Sequence, residues 1–219
     1  MSTVSIIGLG TMARSIATRA LATGSAVELI GRDPAKTAAL ADSLSSGLGD
    51  LRDLGGDVTT GTLGQAPLGD IVILALPYDG SVKVVSEYGD SLNGKVLVDI
   101  SNPFNRTTLT DLVTPDDSSA AQQIAAAAPG GAHVVKAFNT LFSTSVDAGQ
   151  AHGRPVDVFI AGDDAEAKKA VSAFIEGLGL RPLDTGELKM ARWLEGLGLL
   201  LLGQARRTGN YSLTVTILG

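Results

Sequence analysis

The residues with the most specific chemical meaning stand close to the N-terminus. Gly8-Leu9-Gly10-Thr11-Met12-Ala13 has the pattern GxGxxA and follows directly on the apolar, β-branched run Thr3 to Ile7. A glycine turn between a strand and a helix presents unpaired backbone N–H groups at the positive end of the helix dipole, an arrangement that holds a dinucleotide pyrophosphate. In such a turn Gly8 permits the sharp bend, Gly10 lets the backbone approach the pyrophosphate, and Ala13 keeps the helix close to the strand. Thr11 and Met12 lie between them and belong to the same cofactor-binding turn.

The second informative position lies at the end of the next strand. Nicotinamide enzymes that prefer the unphosphorylated cofactor carry an acid there, on the ribose hydroxyls. This sequence reads Leu29-Ile30-Gly31-Arg32, which puts a permanent cation in that place, and Lys36, one turn into the following helix, adds another. A charge-assisted hydrogen bond to a phosphate contributes about 1.5–3 kcal/mol, so the pair predicts NADP(H) in preference to NAD(H). Arg32, Asp33 and Lys36 are also compatible with a plain solvated surface.

In open α/β sheets the ligand lies beyond the carboxyl ends of the strands. Residues just past three further apolar runs are therefore candidates. Pro77 and Tyr78 follow Ile71 to Leu76, and Pro77 is placed to shape the nicotinamide-ribose channel. Ser101 and Asn102 follow Val96 to Ile100, and Asn139 and Thr140 follow Val134 to Phe138; all four are neutral donors and acceptors expected near the redox ring. At Asp99 and Ser101 ordinary turn and cap chemistry accounts for the residues equally well. No catalytic acid or base is assigned: His133 and His152 read as structural or solvated, and no hydroxyl, tyrosine and lysine arrangement stands out. Hydride exchange between two carrier rings asks for positioning more than for a strong general acid.

These positions need a scaffold, and the chain supplies one. Strand, glycine turn and helix are followed by a strand at Val27 to Ile30 and by a helix opened by Asp33-Pro34, a capping residue with proline at the first helical position. The buried runs Ile71 to Leu76 and Val96 to Ile100, a helix over Ser118 to Ala128 stopped by Pro129-Gly130, and a strand at Val134 to Phe138 complete a doubly wound α/β pattern with a parallel sheet. Beyond about residue 144 come a strand (Val156 to Ala161), a helix (Asp164 to Leu178) and a long apolar segment from Glu187. The expected division is a Rossmann domain over residues 1–143 and a small, mainly helical C-terminal domain over 144–219 that binds the acceptor or dimerises. Trp193, Leu194 and the run Leu197 to Leu202 are expected in its core or at a dimer interface.

Composition narrows the class. With 219 residues, 44% of them hydrophobic and 18% charged, the chain is globular, not disordered. The absence of cysteine excludes disulfides and thiolate metal sites, and no metal is expected. A formal charge of −6 argues against nucleic acid as a partner. The most apolar run, Leu197 to Leu202, falls well short of the roughly 20 residues that cross a bilayer, so a cytoplasmic protein with no membrane partner is expected.

The stretches GLGTMA, IGRDPAK, VDISNPFN, VVKAFNTLF, VDVFIAGDDAEAKKAV and GLRPLDTGELKMAR together resemble the NADPH-dependent deazaflavin reductases, also called coenzyme F420-dependent NADP oxidoreductases. The resemblance runs over nearly the whole chain. It implies a Rossmann domain, a small C-terminal domain, a homodimer, and hydride transfer between NADP(H) and coenzyme F420 stacked near the nicotinamide. Carried over by position, Thr11, Arg32 and Lys36 would bind the 2′-phosphate side, and Gly8 and Gly10 the pyrophosphate. Cations available to the anionic coenzyme tail are scattered: Lys136, Arg192, Arg206 and Arg207, the last two reading first as a solvated helix end. VVKAFNTLF is also similar to the NADPH-binding domains of ferric reductases, and Asn139 stands where some deazaflavin reductases have histidine. The alternatives are a reductase of an imine, ketone, flavin or ferric acceptor, and a non-catalytic NADPH-sensing module.

Overall fold

In a computed structural model describing residues 3–47 and 56–218, the apolar runs become the strands of a single sheet. The first part of the chain alternates strand and helix except that β3 leads directly to β4: β1 (Thr3–Ile7), α1 (Thr11–Ala22), β2 (Ala26–Gly31), α2 (Pro34–Gly47), β3 (Val58–Thr62), β4 (Ile71–Leu74), α3 (Tyr78–Tyr88), β5 (Val96–Asp99), α4 (Ala120–Ala127) and β6 (His133–Lys136). There follow α5 (Ser143–Ala148), a small hairpin of β7 (Gln150–Ala151) and β8 (Arg154–Pro155), then β9 (Asp157–Gly162), α6 (Ala165–Gly177), β10 (Arg181–Asp184) and α7 (Ala191–Thr208). The sheet order is β10-β9-β6-β5-β4-β1-β2-β3, with the glycine-turn strand β1 near its middle. All its neighbours run parallel except β6 and β9, which are antiparallel.

Local sequence starts several of these helices. Asp33 accepts the backbone N–H groups of Ala35 and Lys36, Ser119 accepts that of Gln122, and Asp164 accepts that of Ala167; each satisfies donors that a helix start leaves free. The two faces of the sheet bury separate apolar clusters. One is formed with α1, α2, α5 and α6 and includes Ile16, Leu21, Val146, Val171 and Ile175. The other is formed with α3, α4 and the start of α7 and includes Val85, Tyr88, Ile124 and Ala191. A sheet covered on both faces is why the inner strands read as near-continuous apolar runs.

The register aligns the strand ends. Ile7 stands level with Ile30 and Leu74, Leu74 with Asp99, and Asp99 with Lys136. Five loops therefore leave the sheet along one edge, and the candidate residues all lie in or just after those loops.

Residues beyond 143, expected as a small and mainly helical unit, supply α5, α6 and α7. They also supply β9 and β10, which extend the first part's sheet through Val135 opposite Gly162 and Lys136 opposite Ala161. Val158, Ile160 and Val171 share one core cluster with Val4 and Ile6. Of the segment 209–218, Tyr211 and Leu213 accept from α5, and its end meets β9 and β10: Asp157 accepts Thr216 Oγ1 at 2.7 Å and the Ile217 N–H at 2.9 Å, while Arg181 donates to the Ile217 carbonyl at 2.7 Å.

Candidate functional site

The glycine turn is built by the pairing of β1 with its neighbours. The Gly8 N–H donates to the Ile30 carbonyl and the Ala75 N–H to the Ile7 carbonyl, both at 2.9 Å, so the sheet holds the chain up to the bend itself. Gly8 has φ +125°, and a Cβ on it would lie 2.2 Å from the Ala75 carbonyl oxygen. Gly10 is different: it precedes α1 with φ −76° and ψ 179°, and no atom lies within 4 Å of its Cβ position. No side chain caps α1 and no acid occupies its first turn, so its leading N–H groups are left without a side-chain acceptor. Thr11 is exposed beside them, Met12 is half-buried, and Ala13 is fully buried against the core.

From this turn a cleft of about 460 Å³ runs past the end of β2, and Gly8, Arg32, Lys36 and Pro77 all line it. Arg32 is exposed and has no ion pair or hydrogen bond among the described residues. Lys36 lies 3.8 Å from Asp33, whose other carboxylate oxygen caps α2. A third cation, Lys83, stands on the α3 side of the cleft and pairs loosely with Glu87 at 3.8 Å. The cleft thus has basic groups on two walls, interspersed with the carboxylates of Asp33, Asp79 and Glu87, and of these cations Arg32 alone has no carboxylate partner among the described residues. Tyr78 is the first residue of α3; burial, then the charges of Glu195 and Asp79, hold its phenol above the ordinary value and hence neutral at physiological pH.

The remaining candidates gather in a second cluster past β5 and β6. Asn139 Nδ2 donates to Asn102 Oδ1 at 3.0 Å and to the Leu194 carbonyl at 2.9 Å, and Asn102 Nδ2 donates to the Asn139 carbonyl at 2.8 Å. Helix α7 lies directly over the pair: a Cβ on Gly198 would sit 3.0 Å from both Asn102 Oδ1 and the Asn139 carbonyl oxygen. Phe138, fully buried at φ +60°, makes the bend that turns Asn139 back towards Asn102. Ser101 Oγ, Asn139 Oδ1 and Thr140 Oγ1 are buried without a hydrogen-bond partner. Ser81 Oγ and Thr114 Oγ1 share that condition elsewhere; buried polar atoms are seldom left unpaired, which makes the three past β5 and β6 candidates for contact with a polar group.

The four cations expected within reach of an anionic tail are otherwise engaged or placed. Lys136 is entirely buried and bonded to Asp99, Glu195 and the Ser101 carbonyl. It ends a strand whose last side chain points into the protein. Arg192 donates to the carbonyls of Pro115 and Ser118 and to Asp116, tying the loop before α4 to α7. Arg206 and Arg207 stand exposed in the last turn of α7, where cations favour the helix dipole. Within the apolar segment, Leu194 is buried while Trp193 and Leu200 are 68% and 73% exposed, so one face of α7 is core and the other meets solvent. His133 Nδ1 lies 3.8 Å from Asp164, and His152 forms the β7-β8 turn at φ +52°. Among the described residues no helix is long and apolar enough to cross a membrane.

Sequence reasoning missed Lys83 and the Lys136, Asp99 and Glu195 cluster. The sequence did hold a signal for the latter: a charged residue ends each of two otherwise apolar strands, and Glu195 interrupts an apolar helix face.

Comparison with known proteins gives a consistent neighbourhood. Residues 3–103 match the family model described as NADP oxidoreductase coenzyme F420-dependent. The chain is 35% identical over 199 residues to metalloreductase STEAP3 of Rattus norvegicus, covering 91% of this chain and 37% of that protein. It is 32% identical over 142 residues to the F420-dependent NADP reductase of Methanocaldococcus jannaschii, covering 62% of this chain and 61% of the reductase. The chain thus spans less than two thirds of the length of either relative. A solved structure from Arthrobacter sp. FB24, assigned as an F420-dependent NADP-reductase, superposes with a TM-score of 0.83 at 28% identity, and each chain is covered completely.

Proposed function

We propose that the chain, whose residues 3–103 match the NADP oxidoreductase family described as coenzyme F420-dependent, transfers a hydride between NADP(H) and the deazaflavin coenzyme F420. The observation that carries the nicotinamide half is Arg32: a permanent cation without a partner among the described residues, at the end of β2, lining a cleft that reaches Gly8 and Leu9 of the glycine turn. The donor set fits the cofactor. The backbone from Gly8 to Ala13 would receive the pyrophosphate, Arg32 and Lys36 the 2′-phosphate, and Pro77 and Tyr78 would border the nicotinamide ribose. The unpartnered Ser101, Asn139 and Thr140 atoms offer polar contacts at the ring end, with Asn102 holding Asn139 in place. When bound, NADPH supplies the hydride. The protein's residues then orient the two rings and exclude water, and effective catalysis by positioning asks for the reacting atoms about 3–3.5 Å apart.

The deazaflavin half is supported by the 32% identity to the F420-dependent NADP reductase and by a ring end lined with neutral side chains. Residues beyond 143, chiefly α7, would form the acceptor wall, and its exposed face at Trp193 and Leu200 would pair with a second copy. A second reading, a reductase of ferric iron or flavin, is favoured by the 35% identity to the metalloreductase over 91% of this chain. An anaerobic assay of NADPH oxidation against a deazaflavin, free flavin, a ferric chelate and cyclic imines separates these. Loss of deazaflavin absorbance with NADPH is the expected result. Turnover of the ferric, flavin or imine acceptor alone refutes the deazaflavin assignment, and tight NADPH binding with no turnover of any acceptor points to a sensing module.

A further inference from the structure

Three side chains wholly withdrawn from solvent meet beneath the ring end of the candidate site: Lys136 from β6, Asp99 from β5 and Glu195 from α7. Lys136 Nζ donates to Asp99 Oδ2 at 2.8 Å, to Glu195 Oε1 at 2.8 Å and to the Ser101 carbonyl at 2.6 Å, which engages all three ammonium protons. The other two carboxylate oxygens accept as well. Asp99 Oδ1 takes the Ser101 N–H at 2.9 Å, and Glu195 Oε2 takes the Ala120 N–H at 3.1 Å. Burial raises the Glu195 carboxyl above its ordinary value, against the pull of the Lys136 charge and the Lys136 and Ala120 hydrogen bonds; with all four oxygens accepting, the geometry favours two anions around one cation. Arg192, one turn earlier on α7, does not balance the remainder, since its guanidinium is paired outward with Asp116.

One negative charge is therefore left over in a water-free setting, where its field is weakened far less than at a surface. Ser101 connects this charge to the site. Its N–H and carbonyl both bond the cluster, while its Oγ is buried and unpartnered. The phenol of Tyr78 registers the same field, since the charge of Glu195 adds to burial in raising it.

We infer that the residual charge of the Lys136, Asp99 and Glu195 cluster makes the site favour the oxidised, cationic nicotinamide over the reduced, neutral one, and so promotes hydride donation from NADPH. The inference rests on the placement of the nicotinamide beside Ser101 and Asn102 given above. The two forms of the ring differ by one hydride and hence by one unit of positive charge. A fixed anion nearby lowers the energy of the cationic form and leaves the neutral one nearly unchanged.

The test is a pair of binding constants. Dissociation constants for NADP⁺ and NADPH are measured by calorimetry on the unaltered protein, Glu195→Gln and Asp99→Asn, with thermal unfolding as the check on folding. Either substitution cancels the residual charge, and two variants keep the test open if one fails to fold. The expected result is that the NADP⁺ constant rises by about threefold to tenfold relative to that of NADPH, on the order of what one screened charge contributes. A cluster that served only to hold α7 in place would weaken both nucleotides alike. That outcome, or an unchanged ratio in folded variants, overturns the inference and leaves the functional reading standing. Failure of the unaltered protein to bind either nucleotide refutes that reading, and the inference with it.

Discussion

Gly8→Ala and Gly10→Val alter two residues of one turn, and the structure assigns them different consequences. At Gly8 the backbone has φ +125°, and an added Cβ would stand 2.2 Å from the Ala75 carbonyl oxygen. The dihedral alone costs about 1–3 kcal/mol for a residue with a side chain. The overlap forces β1 and β4 apart in a packed sheet, a further cost of about 1–3 kcal/mol. The sum, about 2–6 kcal/mol, is a large part of an ordinary stability of about 5–15 kcal/mol. For a chain of this size it lowers the melting temperature by about 5–20 °C. Gly10, at φ −76° and ψ 179°, is in an extended conformation that valine adopts readily, with open space around it. The fold should lose no more than about 1 kcal/mol, the scale of a poorer helix cap. The branched side chain would instead occupy the approach to the free N–H groups of α1. Displacing an anion from one or two charge-assisted bonds costs about 1.5–3 kcal/mol each, so NADPH affinity should fall at least about tenfold. Thermal melts by circular dichroism and titration calorimetry read the two effects separately. A folded Gly10→Val protein that binds NADPH with unchanged affinity would show that this turn is not the phosphate site, and an unchanged melt for Gly8→Ala would refute the packing argument.

Arg32→Asp should weaken NADPH binding by more than about tenfold while leaving NADH little changed, as expected for loss of a charge-assisted phosphate contact; equal affinities of the unaltered protein for both nucleotides would refute the specificity. Lys136→Met leaves two buried carboxylates facing each other without their cation and should cost about 3–5 kcal/mol in a denaturant titration, with Glu195→Gln in the same chain recovering part of the loss. Burial works against ionisation of Asp157, but the hydrogen bonds of Arg181, Ile217 and Thr216 outweigh it and hold the carboxyl below its ordinary value. A depressed carboxylate stabilises the fold above its unfolded pKa, and the contribution disappears as pH falls through the lower folded value. Acidification below the usual carboxylate range should therefore release segment 209–218 from β9, seen as faster amide exchange at Ile217. In Asp157→Asn that segment should exchange rapidly already at neutral pH.

Much of the scaffold was legible because it is written locally. The strand before Gly8, the glycine spacing and the helical pattern after it fall within some twenty residues, and caps such as Asp33 and Asp164 act on the next turn of backbone. Arg32 could be located because the end of a second strand is fixed by its own apolar run. Helix α3 and the polar edge strand β3 were not foreseen, since a strand at the margin of a sheet needs no apolar alternation. Nor was the joining of β9 to β6, which depends on a pairing across the chain that no local pattern specifies. The sequence by itself determined the glycine turn, its basic neighbours and the strand ends from which the candidate loops leave. Only the tertiary structure decided that Lys136 is a buried hub bonded to residues 37 and 59 positions away, where the sequence suggested an available cation. A lysine at a strand end reads the same in sequence whether it faces water or two carboxylates, because the difference lies in what packs against it.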